Sequence, residues 1–370
     1  MSTITVNTTA ALEAALATAH AGETIQLAAG TYAGVAIQNF NSAGTVTITS
    51  ADPTHQAVIT GMSVAHSSGL DFTGLNFSFA EAATDAQADA SVGVTVQASS
   101  HITFNNDNFH GVLNGDPTLD IKGLSIQGSS SVAVENSQFQ DLRVGMIDGD
   151  NNGVTISGDY FHDIRVDGID NFGASNVTIS GNDFTDFYRQ GNPEDGGDHP
   201  DAIQFWTTGT TTEASNISIQ NNVIVQGQGL NMQGVFMQAD ASLPFQNVTI
   251  SGNMVVGGST NALYVQNANG LQMSGNTVTG LTSQNGTTPH VVIEGVTNAQ
   301  LTSNSAMKFV TTGDTGLVQT SDSATAAVSD GGLAAMTSWL HAHAASGLLD
   351  STQLVGLLGV DAGSTTHLLG

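Results

Sequence analysis

Short segments that alternate apolar and polar residues recur along the chain, and each is followed by a turn rich in Ser, Gly or Asn. Alternation with period two indicates a β-strand with one buried face, and Asn or Gly suits the tight turn that follows. The shortest interval between copies is 22 residues, from Val132 to Val154, which suits one coil of three short strands. The copies begin at Ile102, Val132, Val154, Val177, Ile217, Val248, Leu271 and Ala299.

One such coil cannot bury its own apolar face, so neighbouring coils must stack on one another. The sequence therefore predicts an all-β protein, a single parallel β-solenoid over residues 1–310. The alternative is a β-sandwich of short strands, which is disfavoured because hairpin signals such as Asn-Gly between paired strands are scarce. Four phenylalanines occupy the same position in successive coils, and we expect them to stack in the core rather than to form a sugar-binding stripe. They are Phe109, Phe139, Phe161 and Phe184.

Both ends of the repeat carry helical patterns. Leu12 and Leu16 lie four residues apart within residues 9–19, which predicts an N-terminal helical cap over the first coil. We assign residues 311–370 to a linker and a C-terminal helical cap, with the cap over residues 333–358; the alternative for this tail is a remnant of a secretion signal. The residues at helical spacing in the tail are Leu333, Met336, Trp339 and Leu340.

The composition excludes several classes of protein. The 370 residues include 5 Lys and Arg against 32 Asp and Glu, for a net charge of −27, so nucleic acid and an anionic membrane are not expected partners. The absence of Cys excludes a disulfide scaffold, a thiolate metal site and a cysteine nucleophile. No apolar run is long enough for a transmembrane helix, and the start lacks the pattern of a secretory signal.

The acidic residues are concentrated in one part of the repeat. Residues 141–201 hold 13 of the 32 acids and all three arginines of the chain. We align Asp167-Gly-Ile-Asp170 with Gly145-Met-Ile-Asp148 one coil earlier and with Asp201-Ala-Ile-Gln204 one coil later. Clustered carboxylates repel one another unless a proton or a cation neutralises them, and Ca²⁺ takes six to eight oxygen ligands. The candidate calcium ligands are Asp148, Asp167, Asp170, Asp198 and Asp201; the alternative is a set of Asp residues that only form turns.

The cations share one phase of the coil. Lys122, Arg143 and Arg165 each precede an isoleucine by four residues, and Arg189 follows Asp186 much as the other arginines follow an Asp. These four cations are therefore expected to form one column that binds carboxylates of a polyanionic chain, because guanidinium groups match carboxylate geometry. The alternative is a solvated ladder of ion pairs with those Asp residues.

These motifs resemble known sugar-active enzymes. The passage from Gly22 to Tyr32 is similar to the first coil of right-handed parallel β-helix proteins of the pectate-lyase superfamily. Asp167-Gly-Ile-Asp170 resembles the Asp-Gly-Phe-Asp calcium motif of family-nine pectate lyases, which implies that Asp167 and Asp170 bind calcium. Where those lyases carry their Lys base, this chain has Gln204, so the resemblance does not identify the catalytic base.

Two other enzyme classes are similar at fewer positions. Mannuronan C-5 epimerases share the β-helix and a Tyr-Gly-Phe-Asp-Pro-His motif, but this chain has Asp167 in place of the Tyr and Asn171-Phe172 in place of the Pro-His. Polygalacturonase-type hydrolases carry a Gly-His-Gly motif, and at the similar position this chain has Gln228 in place of the His.

The expected function is that of an extracellular polysaccharide lyase, which cleaves an acidic, uronic-acid-containing polymer by calcium-assisted β-elimination. Such a reaction needs a neutralised substrate carboxylate, a base and an acid. The candidate base or acid residues are Arg165, Arg189, Tyr188 and His199, and Lys122 and Arg143 are candidate substrate clamps. Gln204 and Trp206 are expected to hold a pyranose ring.

Three alternatives stay open. A hydrolase would need two carboxyl groups and no metal, a C-5 epimerase would act on the same polymer, and a non-catalytic β-helix would only bind carbohydrate or build a larger structure. We expect a monomer that is secreted by a route independent of a signal peptide.

Overall fold

The computed structural model describes residues 2–193, 196–283, 287–331 and 334. The chain winds through three parallel sheets, here named A, B and C in the order in which each coil visits them, with 13, 12 and 11 strands. Each strand pairs with the strand one coil earlier and the strand one coil later, so the predicted all-β solenoid is confirmed.

Sheet A contains β1 (Thr3–Val6), β2 (Thr24–Leu27), β5 (Asn41–Ser50), β8 (Ser68–Thr73), β11 (Ser100–Asn105), β14 (Ser130–Glu135), β17 (Asn152–Ser157), β20 (Ser175–Ser180), β23 (Ser215–Gln220), β26 (Phe245–Ser251), β29 (Ala268–Ser274), β32 (Gln300–Thr302) and β35 (Val318–Thr320). Sheet B contains β3 (Thr31–Tyr32), β6 (Val58–Ile59), β9 (Asn76–Ser78), β12 (Asn108–His110), β15 (Gln138–Leu142), β18 (Tyr160–Ile164), β21 (Asp183–Phe187), β24 (Val223–Val225), β27 (Met254–Val256), β30 (Thr277–Thr279), β33 (Ser305–Ala306) and β36 (Ser323–Ala324). Sheet C contains β4 (Val35–Gln38), β7 (Met62–Ala65), β10 (Val92–Gln97), β13 (Lys122–Gln127), β16 (Met146–Gly149), β19 (Ile169–Phe172), β22 (Asp201–Trp206), β25 (Gln233–Gln238), β28 (Asn261–Gln266), β31 (His290–Glu294) and β34 (Lys308–Thr312).

Two α-helices lie among the described residues. Helix α1 (Thr9–Leu16) begins at Thr8, whose hydroxyl accepts a hydrogen bond from Ala11 N–H, and it buries Leu12 and Leu16. It packs against β1, β2 and β4, which is where the sequence predicts an N-terminal helix. Helix α2 (Asp85–Ala90) lies between β9 and β10. No helix in the described part of the chain is both long and apolar enough to cross a membrane.

The C-terminal region differs from the sequence-based boundary. Strands β35 and β36 pair with the coil before them, so the solenoid continues to Ala324 and the stretch from residue 311 is not simply a linker. The predicted C-terminal cap over residues 333–358 lies outside the described residues, apart from Ala334.

Phenylalanine rings stack along the core, as the coil phase predicts. Neighbouring rings from Phe77 to Phe184 lie parallel with centroids 4.5–4.8 Å apart, and their side chains are completely buried. This spacing matches the distance between paired strands, so one ring per coil fills the core. The stack consists of Phe77, Phe109, Phe139, Phe161 and Phe184.

A ladder of buried asparagines closes the turn between sheets A and B. Asn222 illustrates the pattern: its amide nitrogen donates to Ile179 O at 3.0 Å and to Asn253 Oδ1 at 2.9 Å. Each member therefore satisfies backbone groups of a neighbouring coil that would otherwise be buried without a partner. The ladder contains Asn182, Asn222, Asn253, Asn276 and Asn304.

Toward the N-terminus the same position is occupied by aspartates. Asp159 Oδ1 accepts a hydrogen bond from Ser137 N–H at 2.7 Å, but its Oδ2 is buried without a partner. An asparagine would place its NH₂ group there, facing the backbone carbonyl of Val134 in the preceding coil, as Asn182 faces Ile156. Burial raises the pKa of Asp159 well above its usual value, and the nearby Glu135 adds repulsion. A protonated carboxyl group fits this position because it can donate.

We predict that Asp159→Asn stabilises the protein at neutral pH by about 1–3 kcal/mol. The pKa of Asp159 is higher in the folded protein than in the unfolded chain, where it lies near 4. The contribution of Asp159 to stability is therefore fully present below about pH 4 and is lost as the pH rises through the folded pKa. The amide does not titrate, so the advantage of the variant should shrink toward pH 4. Urea unfolding at pH 4 and pH 7.5 checks this; an equal difference at both pH values would contradict it.

Candidate functional site

The outer face of sheet C carries the acidic motif that the sequence singled out. Parallel pairing places Asp170 of β19 beside Gln204 of β22 in the next coil. Asp167 lies just before β19, and its Oδ1 accepts a hydrogen bond from Asp201 N–H at 2.8 Å. Asp167, Asp170 and Asp201 are therefore brought together, and they are called the acid cluster below.

The acid cluster is largely withdrawn from solvent. Asp201 is completely buried, Asp167 is 6% exposed and Asp170 is half-buried. Oδ1 of Asp170 and both carboxyl oxygens of Asp201 receive no hydrogen bond of normal geometry from the described residues, although the side chain of Gln233 lies close enough to lower the pKa of Asp201. Buried polar atoms are normally satisfied, so these oxygens are the places where water or a substrate group would bind.

Burial and mutual repulsion keep protons on the acid cluster. Burial, then repulsion from Asp170 and Asp201, raises the pKa of Asp167 well above its usual value, and burial followed by repulsion from Asp170 does the same for Asp201. Burial raises the pKa of Asp170 to about 7, although the nearby Lys122 opposes the shift. A hydrogen bond between the carboxyl groups raises the pKa of Asp167 and lowers that of Asp170, so Asp167 holds the shared proton.

Gly168 allows the backbone to pass between two coils at the acid cluster. A Cβ atom at this position would lie 2.6 Å from Ala202 O and 2.9 Å from the Phe184 ring. Any larger residue would push β19 away from β22. The glycine of the Asp-Gly-Ile-Asp motif thus fixes the distance between the two strands that carry the acids.

Aromatic and amide side chains continue the outer face next to the acid cluster. Phe172 and Trp206 are neighbours in adjacent coils, and their rings stack with centroids 5.2 Å apart. Farther along, Phe236 and Tyr264 stack at 4.7 Å. All four rings are partly exposed, and Gln204 lies between Asp170 and Phe236 in the same column. The outward positions predicted for Gln204 and Trp206 are thus observed.

The predicted outward position of Asp148 is wrong. Asp148 pairs with Asn171 rather than with Asp170, is completely buried, and accepts a hydrogen bond from Asn151 at 2.5 Å. Ile147 takes the outward place beside Asp170. Asp148 is a core residue, so it cannot act with the acid cluster.

Three of the predicted cations do converge, but acidic side chains already occupy them. Arg165 pairs with Asp198 at 2.9 Å and with Asp85, and its side chain is only 6% exposed. Arg143 contacts Asp85 at 2.7 Å and Asp89 at 3.2 Å. These contacts favour the alternative in which the column of cations forms structural ion pairs and does not bind substrate carboxylates. The acids come from α2 and from Asp198, however, and not from the Asp residues that precede each arginine.

Lys122 joins the same network through Asp89, at 3.1 Å. The sequence analysis missed Asp85 and Asp89, whose spacing of four residues in a short helix after Thr84 places both on the side that faces the cations. Asp198 is likewise engaged by Arg165, at both carboxyl oxygens, and is not directed to the acid cluster as a metal ligand.

Of the other candidate residues, Arg189 and Tyr188 are not brought to the acid cluster, whereas His199 lies in a cavity beside Gln233, the neighbour of Asp201. Arg189 donates to Gly191 O within its own loop. Burial raises the pKa of Tyr188 to about 12, with added repulsion from acids in the strands of sheet B, Asp186 first. His199 is exposed and lines a cavity of about 190 Å³ together with Gln233. Nothing in this geometry brings Tyr188 or Arg189 to the acid cluster.

The predicted ligands do not form a calcium site. Asp148 faces the core, Asp198 is paired with Arg165, and one oxygen of Asp167 is occupied by Asp201 N–H. Within residues that the structure describes, no group of three or more His, Asp or Glu side chains is arranged to hold a metal ion. Calcium needs six to eight oxygen ligands, so these residues as placed do not fit it.

Comparisons with known proteins agree with the fold. The family model described as "Right handed beta helix region" matches residues 60–191 and 92–306. No curated protein matches the chain significantly. Among solved structures, the chain is similar to the Dettilon tailspike protein, with 12% identity over 85% of this chain and a TM-score of 0.56; it spans 64% of the tailspike chain.

Two enzymes are also similar in structure. The alginate lyase from Paenibacillus sp. str. FPU-7 shares 18% identity over 74% of this chain and 94% of its own, with a TM-score of 0.41. Pectate lyase Pel9A shares 20% identity over 79% of this chain and 73% of its own, with a TM-score of 0.38. At these identities, similarity extends to the fold alone.

We predict that Arg165→Ala lowers the free energy of unfolding by about 3 kcal/mol, because it leaves Asp198 without its cation in a mostly buried setting. Chemical denaturation measures the loss. Arg189→Ala is the control and should change stability by less than about 0.5 kcal/mol. An Arg165→Ala protein with unchanged stability would instead favour the substrate-clamp role expected from the sequence.

Proposed function

The chain belongs to the family of right-handed β-helix proteins, and from this premise we propose that it is an enzyme that cleaves a polysaccharide at the acid cluster of sheet C. The observation that carries the proposal is the combination of three adjacent carboxyl groups with partly exposed rings on one outer face. Because polymeric substrates lie outside cells, we also propose an extracellular location for this protein.

The reaction that this arrangement supports best is hydrolysis of the glycosidic bond. Glycoside hydrolysis needs one carboxyl group that donates a proton to the leaving oxygen and a second that activates water. Asp170 is half-buried and has a pKa of about 7, so it retains a proton under mildly acidic conditions and is open to the substrate. We assign it the role of proton donor.

Asp201 is the residue that we assign to the attacking water; since burial and repulsion from Asp170 raise its pKa, the active form is the one in which Asp201 is ionised and Asp170 is protonated. Asp167 holds the other two in place, since it accepts from Asp201 N–H and shares a proton with Asp170. It is a positioning residue.

β-Elimination on a uronic-acid polymer, the reaction expected from the sequence, is the second candidate. The placement of Asp167 and Asp170 on the outer face favours it, because that is where the resemblance to family-nine lyases requires them. Elimination also needs the substrate carboxylate to be neutralised. Lys122, Arg143 and Arg165 are occupied by acids, and the calcium ligand set does not fit, so this chain supplies that neutralisation less well.

We predict that Asp170→Asn lowers kcat/KM at least about 100-fold, because the amide cannot donate the proton. Wild-type activity should fall as pH rises through about 7, since the protonated form of Asp170 is the active one. The assay measures new reducing ends and, in parallel, the ultraviolet absorbance of an unsaturated uronic product, with and without a chelator.

Glu213→Gln is the matched control for Asp170→Asn, because it makes the same carboxyl-to-amide change at an exposed site outside sheet C and should leave activity unchanged. Full activity of Asp170→Asn on a cleaved polymer would overturn the assignment. Reducing ends that appear together with ultraviolet absorbance would show elimination rather than hydrolysis.

A further inference from the structure

We propose that the polymer is an uncharged polysaccharide and that a strip of amide and aromatic side chains on sheet C binds it. This inference rests on the proposed function and names the substrate class for the same site. The strip consists of Gln204, Trp206, Gln233, Phe236, Asn261 and Tyr264.

The strip begins at the acid cluster and runs toward the C-terminal coils. Asp201 pairs with Gln233, and the Asn261 amide donates to Gln233 Oε1 at 2.7 Å, so these three residues form one column. Gln204, Phe236 and Tyr264 form the neighbouring column. With strands about 4.8 Å apart, the three coils extend about 10 Å, and a chain bound along them would enter the acid cluster.

The side chains of the strip match hydroxyl groups rather than carboxylates. An amide both donates and accepts hydrogen bonds, as a sugar hydroxyl does, and carries no charge. Aromatic rings offer apolar surface to the C–H groups of a pyranose ring. Gln204 and Phe236 are adjacent in one column, so both kinds of contact are available within one coil spacing.

No Lys or Arg residue lies within the strip, where a uronic-acid polymer would need cations. All five Lys and Arg residues of the chain lie in described positions. Lys122, Arg143 and Arg165 are paired with acids, and Arg189 is bonded within its own loop. Lys308 lies on the last strand of sheet C, four coils beyond β22 and about 19 Å from it along the axis; it follows Asn261 and His290 in the same column, two coils past the end of the strip.

The acid cluster itself acts against a polyanion. A uronic carboxylate within a few ångströms of Asp170 would meet like charge whenever Asp170 is ionised, and it would find no free cation nearby. An uncharged sugar meets no such repulsion. The net charge of −27 adds an unfavourable long-range field for any polyanion.

Affinity electrophoresis of the whole chain tests the proposal with two sets of polymers. The uncharged set is xylan, galactomannan, β-glucan and dextran; the uronic set is polygalacturonate, alginate and hyaluronan. We expect at least one uncharged polymer to bind at least tenfold more tightly than any uronic one, with little change as salt is raised. Tighter binding of a uronic polymer, or no retardation of the folded chain by any uncharged polymer, would overturn the proposal.

Variants then locate the binding surface. Phe236→Gln and Gln233→Leu should each weaken binding at least tenfold with an unchanged melting temperature. Gln97→Ala is the control, because Gln97 is exposed on the same face of sheet C but lies before the acid cluster. A loss of binding in Gln97→Ala equal to that in the strip variants would contradict the location.

The outcomes separate this inference from the proposed function. Cleavage of a uronic polymer that depends on Asp170 would keep the enzyme assignment and overturn the uncharged substrate. Binding of an uncharged polymer through Phe236, with cleavage unaffected by Asp170→Asn, would keep the strip and overturn the catalytic assignment.

Discussion

The backbone hydrogen bonding between coils controls every other feature of this protein. Parallel pairing places each residue directly above its partner in the next coil, so a side chain faces the core or solvent together with its whole column. Phe139 and Phe161 therefore stack at 4.7 Å, and Asn222 and Asn253 bond through the same turn. The acid cluster follows the same rule, because it forms where two successive coils both present aspartates near the start of a sheet C strand.

The pKa values of the acid cluster stay high because most cations of the same region pair with other acids. Asp85 and Asp89 of α2 bind Arg143, Arg165 and Lys122, which leaves only Lys122 close enough to influence the pKa of Asp170. If these arginines reached the cluster, its carboxyl groups would ionise and would form a structural ion-pair network. Helix α2 thus holds these cations in structural ion pairs, and the acid cluster keeps its protons.

The period of the repeat predicted the fold well, because strand alternation and coil length are local properties. The phenylalanine core, the N-terminal helix and the outward places of Asp170, Gln204 and Trp206 follow from that period. Asp148 was misplaced because the turn before β19 is one residue longer than the turn before β16: Leu142 pairs with Ile164, yet Met146 pairs with Ile169. Motif similarity hid this extra residue. The partners of Arg165 were also beyond prediction, since Asp85 is 80 residues away in the chain.

Buried aspartates alone do not identify a site in this molecule, since burial raises the pKa values of Asp148 and Asp159 as well. The difference lies in what shares each carboxyl group. Asp148 accepts a hydrogen bond from Asn151 of its own coil, and Asp159 accepts one from Ser137 of the preceding coil, each through a single oxygen. Asp167, Asp170 and Asp201 raise one another's pKa values or share a proton on an outer face beside partly exposed rings. An isolated core carboxyl group has no second carboxyl group with which to exchange a proton. The arrangement of the acids, rather than their number, therefore distinguishes the acid cluster from the core aspartates.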